Sequence, residues 1–210
     1  MVGQQLDVAA SPARAGLVLR LRPAIDLTGE QFFQFCQLNR DLAIERTVGG
    51  DIEIMPPAGG ETSVRNARLI AELMSWSDND GSGVAFDSSA GFELPNGAVR
   101  SPDAAWILRS RLTHISAERK RKFLPLCPDF VAEIASPSDS MPALKLKMEE
   151  YRANGARLGW LILPDQGQLF VYHEDGAVEQ RAWPVAVAGE PVLPGFELQL
   201  APIWESPLDA

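Results

Sequence analysis

A single carboxylate interrupts an apolar run in the second half of the chain. Residues 130–135 read FVAEIA, a pattern typical of a buried strand except for Glu133. Ionised carboxylates are almost never fully buried without a partner, because the loss of hydration is costly. Glu133 therefore either turns to water on an edge strand or belongs to a metal or proton-transfer site.

A second carboxylate, Asp103, lies in the segment RSPDAAWIL. Pro102 cannot donate a hydrogen bond to a sheet, so it marks the start of a strand, and Asp103 lies at that start. Glu133 lies near the end of its own strand. If the two strands are antiparallel neighbours, start meets end and the two carboxylates are adjacent. Adjacent carboxylates repel each other unless a cation lies between them, and Mg²⁺ suits such oxygen ligands while it keeps several waters.

A lysine falls on the apolar face of the helix predicted after this strand. In PALKLKMEEYRAN, Leu144, Met148 and Tyr151 follow the i, i+4, i+7 spacing of an inward stripe, and Lys147 lies within that stripe. Its ammonium either snorkels to water over a packed stem or reaches the carboxylate pair. The second arrangement would suit metal-assisted phosphodiester hydrolysis. The ion would polarise a phosphoryl oxygen and activate a water, while the lysine orients that water or stabilises the developing charge.

The elements that must position these residues are a mixture of strands and helices. Residues 28–31 predict a capped short helix, residues 49–50 the turn of a hairpin, and residues 61–76 a longer helix. The predicted apolar face of that longer helix consists of Ala67, Ile70, Leu73 and Met74. Further strands are predicted in GVAFDSS, GFEL, SPDAAWIL, PDFVAEIA, RLGWLILP and QLFVYH, with a turn at residues 95–97 between the second and third of these. The mixture favours an α/β or α+β fold.

Length and composition predict a single globular domain over residues 17–210, preceded by a flexible arm over residues 1–16. The chain has 210 residues, of which 46% are hydrophobic and 22% charged, as in ordinary globular proteins. Cys36 and Cys127 have no zinc-site spacing and are too few for a disulfide framework, which favours a reducing, cytoplasmic setting. The apolar runs near the N-terminus are too short for a signal peptide or a membrane span, so we expect no membrane partner.

The charge distribution limits how the protein can meet nucleic acid. A net charge of -9 argues against a protein that coats nucleic acid by bulk electrostatics. Residues 100–122 are the exception, because seven basic and two acidic side chains give them a local charge of +5. This cluster is either a solvated surface or a contact for phosphate groups.

Several motifs occur in a characteristic order along the chain. They are SPDAAWI, PDFVAEIASPSD, KMEEYRANGARLGWLILP and VLPGFEL, supported by IERTVGGDIEIMPP and FDSSAGFELPNGAVRSPD. Together, from about residue 28 to residue 200, they resemble the Uma2 family of restriction-endonuclease-like proteins, within the PD-(D/E)XK nuclease superfamily. The resemblance implies an α/β fold with an αβββαβ core, a mixed central sheet, flanking helices and additional N-terminal strands.

The resemblance also implies roles for particular residues. Asp103 and Glu133 correspond to the acidic ligands of Mg²⁺ or Mn²⁺. The lysine that usually stands two residues after the glutamate is replaced by Ala135, but similar sequences carry a lysine on the following helix, where Lys147 matches it. The superfamily often uses a further acid on the first core helix. Glu61 and Glu72 are the candidates, and we select Glu61, whose alternative role is to stabilise the helix N-terminus.

Two functions from different classes follow from these observations. The first is a Mg²⁺-dependent endonuclease that acts on nucleic acid, with DNA as the expected substrate. The second is a non-catalytic dimeric interaction module that retains the nuclease fold. A homodimer is expected in either case, and two-fold symmetry would suit the cleavage of both strands of a duplex.

Overall fold

The computed structural model describes residues 16–206 and residue 208. The predicted arm therefore lies almost entirely outside the described residues, and the division into an arm and one domain stays a prediction. The helices are α1 (Gly29–Leu38), α2 (Gly60–Asp80), α3 (Arg109–Leu112), α4 (Met141–Ala153) and α5 (Ala201–Trp204). The strands are β1 (Leu17–Leu19), β2 (Ala43–Arg46), β3 (Ile52–Met55), β4 (Gly83–Asp87), β5 (Phe92–Glu93), β6 (Val99–Arg100), β7 (Ala104–Leu108), β8 (Phe130–Ile134), β9 (Leu158–Leu163), β10 (Gln168–His173), β11 (Val178–Ala182), β12 (Ala186–Ala188) and β13 (Glu197–Gln199).

A six-stranded mixed sheet forms the centre of the fold, in the order β11-β10-β9-β8-β7-β4. Strands β8 and β9 are parallel and are joined by the crossover helix α4, whereas the other neighbours are antiparallel. The succession α2, β4, β7, β8, α4, β9 confirms the predicted αβββαβ core. Helix α2 packs on one face of the sheet through Leu69 and Leu73, and helix α4 packs on the other through Met148 and Tyr151.

A second sheet, in the order β1-β3-β2-β6-β5, contains the additional N-terminal strands. Strands β2 and β3 form the predicted hairpin, in which Gly50 has a φ of 85° that glycine adopts without strain. Helix α1 begins with the predicted capping box, because Thr28 and Gln31 bond reciprocally to each other's backbone N–H. The turn at residues 95–97 joins β5 to β6, so a short strand separates it from the strand that follows Asp103.

The register of β7 and β8 brings the two candidate carboxylates together. Ala104 lies opposite Ala132 and Ala105 lies opposite Val131 in this antiparallel pair. One residue further along the same register, Asp103 stands opposite Glu133. Directly opposed residues of an antiparallel pair point to the same face, so the adjacency predicted from the strand ends is observed.

The buried face of α2 differs from the predicted one. Its buried residues are Thr62, Arg65, Leu69, Leu73 and Ser77. Ala67 and Met74 are exposed instead. The apolar pattern failed here because polar side chains occupy part of the inward stripe. For example, the buried Ser77 hydroxyl accepts a hydrogen bond of 3.1 Å from the Trp106 indole.

Gly159 in β9 controls how closely α4 approaches the sheet. A Cβ atom at this position would lie 2.6 Å from Cε of Met148, the residue that follows Lys147. We expect Gly159→Leu to lower the free energy of unfolding by roughly 1–3 kcal/mol, because the larger side chain overpacks the layer under α4. Gly159→Ala should cost less, because the end of the Met148 side chain can move. Urea denaturation of both variants tests this, and equal stabilities for the leucine and alanine variants would contradict it.

Candidate active site

Glu133 lies in the interior of the protein, on a central strand. Strand β8 is flanked by β7 and β9, so the alternative of an edge strand turned to water is wrong. The residue is 5% exposed. Its Oε1 atom accepts a hydrogen bond of 3.0 Å from the Tyr151 hydroxyl and lies 2.8 Å from the Lys147 ammonium. The carboxylate is thus held by two side chains of the same helix, α4.

Asp103 is oriented by two hydrogen bonds, one from the end of strand β8 and one from helix α2. Its Oδ2 accepts a hydrogen bond of 2.7 Å from the backbone N–H of Ile134, and its Oδ1 accepts one of 2.9 Å from the side-chain amide of Asn66. Asn66 belongs to α2, so this helix reaches the site with an amide. The amide oxygen of Asn66 is buried and accepts no hydrogen bond within the described part of the chain. Buried acceptors of this kind commonly face a water or an ion.

Lys147 points inward. Its side chain is 12% exposed, and its ammonium lies 2.8 Å from Glu133 and 3.0 Å from Glu45. The snorkelling alternative is therefore wrong. Helix geometry explains the placement, because residue 147 lies between Leu144 and Tyr151 on the face that α4 turns to the sheet.

Glu45 was not identified from the sequence, and Arg100 was placed only in the basic cluster at residues 100–122. Arg100 is buried and its guanidinium contacts three carboxylates. These are Glu45 at 3.0 Å, Glu53 at 2.7 Å and Glu150 at 2.6 Å. A signal for Glu45 existed, because it stands in the strand-like run LAIERTV much as Glu133 stands in FVAEIA. Strand β2 is buried along most of its length, so the Glu45 side chain lies in the interior.

The electrostatics differ sharply between the two glutamates that hold Lys147. Burial, assisted by the carboxylates of Asp103 and Glu45, raises the pKa of Glu133 to about 7 despite the opposing charge of Lys147. Burial also pushes the pKa of Glu45 upward, but Lys147 and Arg100 outweigh it and lower that pKa to about 2. Burial raises the pKa of Asp103 as well. For Lys147, the two glutamates outweigh burial and raise its pKa.

The donor set of Asp103 and Glu133 fits a hard divalent cation. Both offer carboxylate oxygens, and their mutual repulsion is a reason for a cation to bind between them. Within residues 16–206 and 208, no group of three or more His, Cys, Asp or Glu side chains is arranged to hold a metal ion. The protein would therefore supply two carboxylates, with the amide oxygen of Asn66 nearby. Mg²⁺ commonly binds in this way and completes its octahedron with water and substrate oxygens.

The acids proposed for the first core helix lie apart from these contacts. Glu61 contacts the Arg65 guanidinium at 3.5 Å and accepts a hydrogen bond of 2.6 Å from the Ser206 hydroxyl. Glu72 is exposed. None of the contacts found for Glu61 involves Asp103 or its partners, so its catalytic role stays a prediction without geometric support. Asn66 is the α2 residue that touches the carboxylate pair.

Most of the basic side chains at residues 100–122 make contacts within the protein. Arg100 is 3% exposed, so neither alternative, a solvated surface or a contact for phosphate groups, holds for this residue. Arg111, Arg119 and Lys122 pair with Asp129, Glu93 and Glu30 respectively. Arg109 donates hydrogen bonds to the backbone carbonyls of Gly81 and Gly83. Lys120 and Arg121 are exposed and remain able to meet an anion.

A cleft of about 90 Å³ opens beside Lys147, between strands β1 and β3 and the first turns of α4. Its walls are mostly apolar and include Leu17, Ile54 and Leu144. Glu45 also lines it. The cleft gives the otherwise buried ammonium a route to molecules in solution.

The raised pKa of Glu133 predicts a pH dependence of stability. Its ordinary pKa of 4.5 applies to the unfolded chain, so the folded state holds the proton more tightly. The associated stability is complete below pH 4.5 and is lost as the pH rises through about 7. In metal-free buffer, we expect the unfolding free energy of the wild type to fall by on the order of 1–3 kcal/mol over this window, relative to Glu133→Gln. Chemical denaturation at several pH values tests this, and parallel pH profiles would contradict it.

Comparison with known proteins agrees with this architecture. None of the helices in the described part of the chain has the length and apolarity to cross a bilayer. No curated protein matches the chain. Among solved structures, it resembles a protein of Anabaena variabilis ATCC 29413 described as "a putative nuclease belonging to DUF820", with 21% identity, a TM-score of 0.68, and coverage of 85% of this chain and 97% of that one. This likeness shows a shared fold. A family model described as "Putative restriction endonuclease" matches residues 30–201, and the chain therefore belongs to the Uma2 family.

Proposed function

We propose that this protein is a divalent-metal-dependent endonuclease that hydrolyses phosphodiester bonds of nucleic acid, with DNA as the expected substrate. The observation that carries the proposal is the cross-strand pair of Asp103 and Glu133, with the Lys147 ammonium 2.8 Å from Glu133. Two opposed carboxylates with a cationic side chain beside them are costly to bury, and perturbed groups of this kind concentrate at functional sites. The description of the family supports the same chemistry.

Asp103 and Glu133 would hold Mg²⁺ or Mn²⁺. Such an ion, when bound, supplies Lewis acidity to a phosphoryl oxygen and makes a coordinated water more acidic. The protein fixes the carboxylates in advance. Asn66 and the Ile134 N–H hold both oxygens of Asp103, and Tyr151 holds one oxygen of Glu133. Such supporting hydrogen bonds orient ligands and remove part of the cost of ordering them.

Lys147 would stabilise the charge that develops on the phosphate. A phosphodiester attacked by water gains negative charge on its non-bridging oxygens, and a pre-positioned ammonium lowers the energy of that state. The site and the neighbouring cleft both include this residue, so it can meet a substrate that enters from the cleft. Its contacts with Glu133 and Glu45 hold it in place before substrate arrives.

The proposal includes a homodimer, in which two sites related by two-fold symmetry would act on the two strands of a duplex. Light scattering coupled to size exclusion measures this directly. A monomer would remove the duplex-cutting part of the proposal and leave single-strand cleavage.

Loss of a carboxylate ligand should abolish metal binding. We expect calorimetric titration with Mn²⁺ to give a saturable signal for the wild type and none for Asp103→Asn or Glu133→Ala, because one remaining carboxylate is a weak ligand for a hydrated ion. Glu72→Gln is the matched control, since it removes an exposed carboxylate of α2 and should bind as the wild type does. Absence of binding to the wild type would refute the metal-dependent mechanism.

Lys147→Met should separate metal binding from cleavage. The substitution removes the charge and keeps an unbranched side chain that is shorter by one atom. Metal affinity should stay the same or rise, because the ammonium no longer competes for Glu133, while plasmid nicking should slow by about 100-fold or more. Nicking at the wild-type rate would exclude Lys147 from the mechanism. A wild type that binds metal but cleaves neither plasmid nor single-stranded DNA would favour the non-catalytic module.

A further inference from the structure

The Lys147 ammonium is shared by carboxylates from two different sheets. It lies 2.8 Å from Oε1 of Glu133 in β8 of the central sheet, and 3.0 Å from Oε1 of Glu45 in β2 of the N-terminal sheet. The first of these glutamates is a proposed metal ligand. The second has no such role in the proposed mechanism, although it is nearly as close to the lysine.

Glu45 is held rigidly. It is 2% exposed, and the backbone N–H of Ser101 donates a hydrogen bond of 2.9 Å to Oε1, the same oxygen that contacts Lys147. Its other oxygen, Oε2, accepts a hydrogen bond of 3.0 Å from Arg100. Both carboxylate oxygens are therefore anchored, and the segment that anchors them ends two residues before Asp103.

Arg100 joins this anchor to the helix that carries the lysine. Its Nε donates a hydrogen bond of 2.6 Å to Glu150, three residues after Lys147 on α4. Its Nη1 contacts Glu53 in β3 at 2.7 Å. The guanidinium thus ties the N-terminal hairpin to α4 at the level of the ammonium. A planar group with several fixed donors suits this kind of link.

We infer that Glu45 is a positioning residue, which holds the Lys147 ammonium beside the proposed metal ligands while Arg100 fixes Glu45. The inference rests on the proposed function and deepens it. A cation at Asp103 and Glu133 would bind the carboxylate of Glu133, weaken its attraction for the ammonium, and repel the ammonium. Glu45 is then the carboxylate that retains Lys147 within reach of a phosphoryl oxygen. A lysine tethered only to Glu133 would lose its tether when the site fills.

The first test needs neither metal nor turnover. The chain has four lysines, so ammonium signals in ¹H–¹⁵N spectra can be assigned with Lys147→Met. We expect the ammonium hydrogens of Lys147 to exchange with water at least about tenfold faster in Glu45→Gln than in the wild type, because an anionic partner is lost. Glu149→Gln is the matched control, since its carboxylate pairs with Arg152 on the same helix, and exchange should not change. Unchanged exchange in Glu45→Gln would overturn the inference.

The second test connects position to reaction. We expect Glu45→Gln to lower kcat for plasmid nicking by about 10- to 100-fold with KM and Mn²⁺ affinity within about threefold of the wild type. The same substitution in the Lys147→Met background should cause no further loss, because a residue that acts through Lys147 has nothing left to position. An additional loss of similar size in that background would overturn the inference and indicate a general structural role.

Glu45→Asp is a second variant that keeps the test decisive. If Glu45→Gln fails to fold, Glu45→Asp keeps the charge but shortens the side chain by one methylene, and it should raise ammonium exchange and lower kcat in the same direction. Wild-type values for both would overturn the inference. A wild type that is inactive on every nucleic acid tested would count against the proposed function, while the exchange measurement would still decide whether Glu45 holds the lysine.

Discussion

The burial of several carboxylates around one ammonium is the constraint on which the rest of the site depends. Glu133 and Glu45 are both removed from water, and each would neutralise or rearrange without a compensating charge. Lys147 and Arg100 outweigh the effect of burial on Glu45, so its pKa falls, whereas burial, assisted by the carboxylates of Asp103 and Glu45, keeps the pKa of Glu133 raised. The uncompensated negative charge therefore lies at Asp103 and Glu133, the pair that we propose as ligands of a divalent ion. A cation bound there would relieve the repulsion between the two carboxylates.

The local part of this arrangement could be predicted from the sequence. Asp103 stands at the start of one strand and Glu133 near the end of another. These positions predict that the two residues are adjacent, provided the strands are antiparallel neighbours, as β7 and β8 are. The helical stripe likewise identified Lys147. These two features depend on periodicities of two and 3.6 residues, which are local properties of the chain. The apolar runs and their turns predicted only a mixture of strands and helices, and the αβββαβ succession was an implication of the resemblance to the Uma2 family.

The remainder depends on contacts between distant segments. Glu45 meets Lys147 across 102 residues of chain, and Asn66 meets Asp103 across 37. Sequence patterns hold no information on which polar residues of separate elements converge. They also did not predict strand β11, whose mostly exposed side chains read VEQRA, or the partly polar inward face of α2. The basic segment shows the same limit, because a count of charges does not reveal that Arg100 points into the interior.

The placement of the lysine on the crossover helix has a consequence for sequence change in related chains. Residues 135–140 form the link between β8 and α4, and extra residues there would lengthen a surface loop at little cost. A single residue inserted between the start of α4 and Lys147 would instead rotate the side chain by about 100° around the helix axis and carry its charge away from Glu133. Insertions and deletions should therefore accumulate before Met141 and be excluded from the two helical turns that follow it.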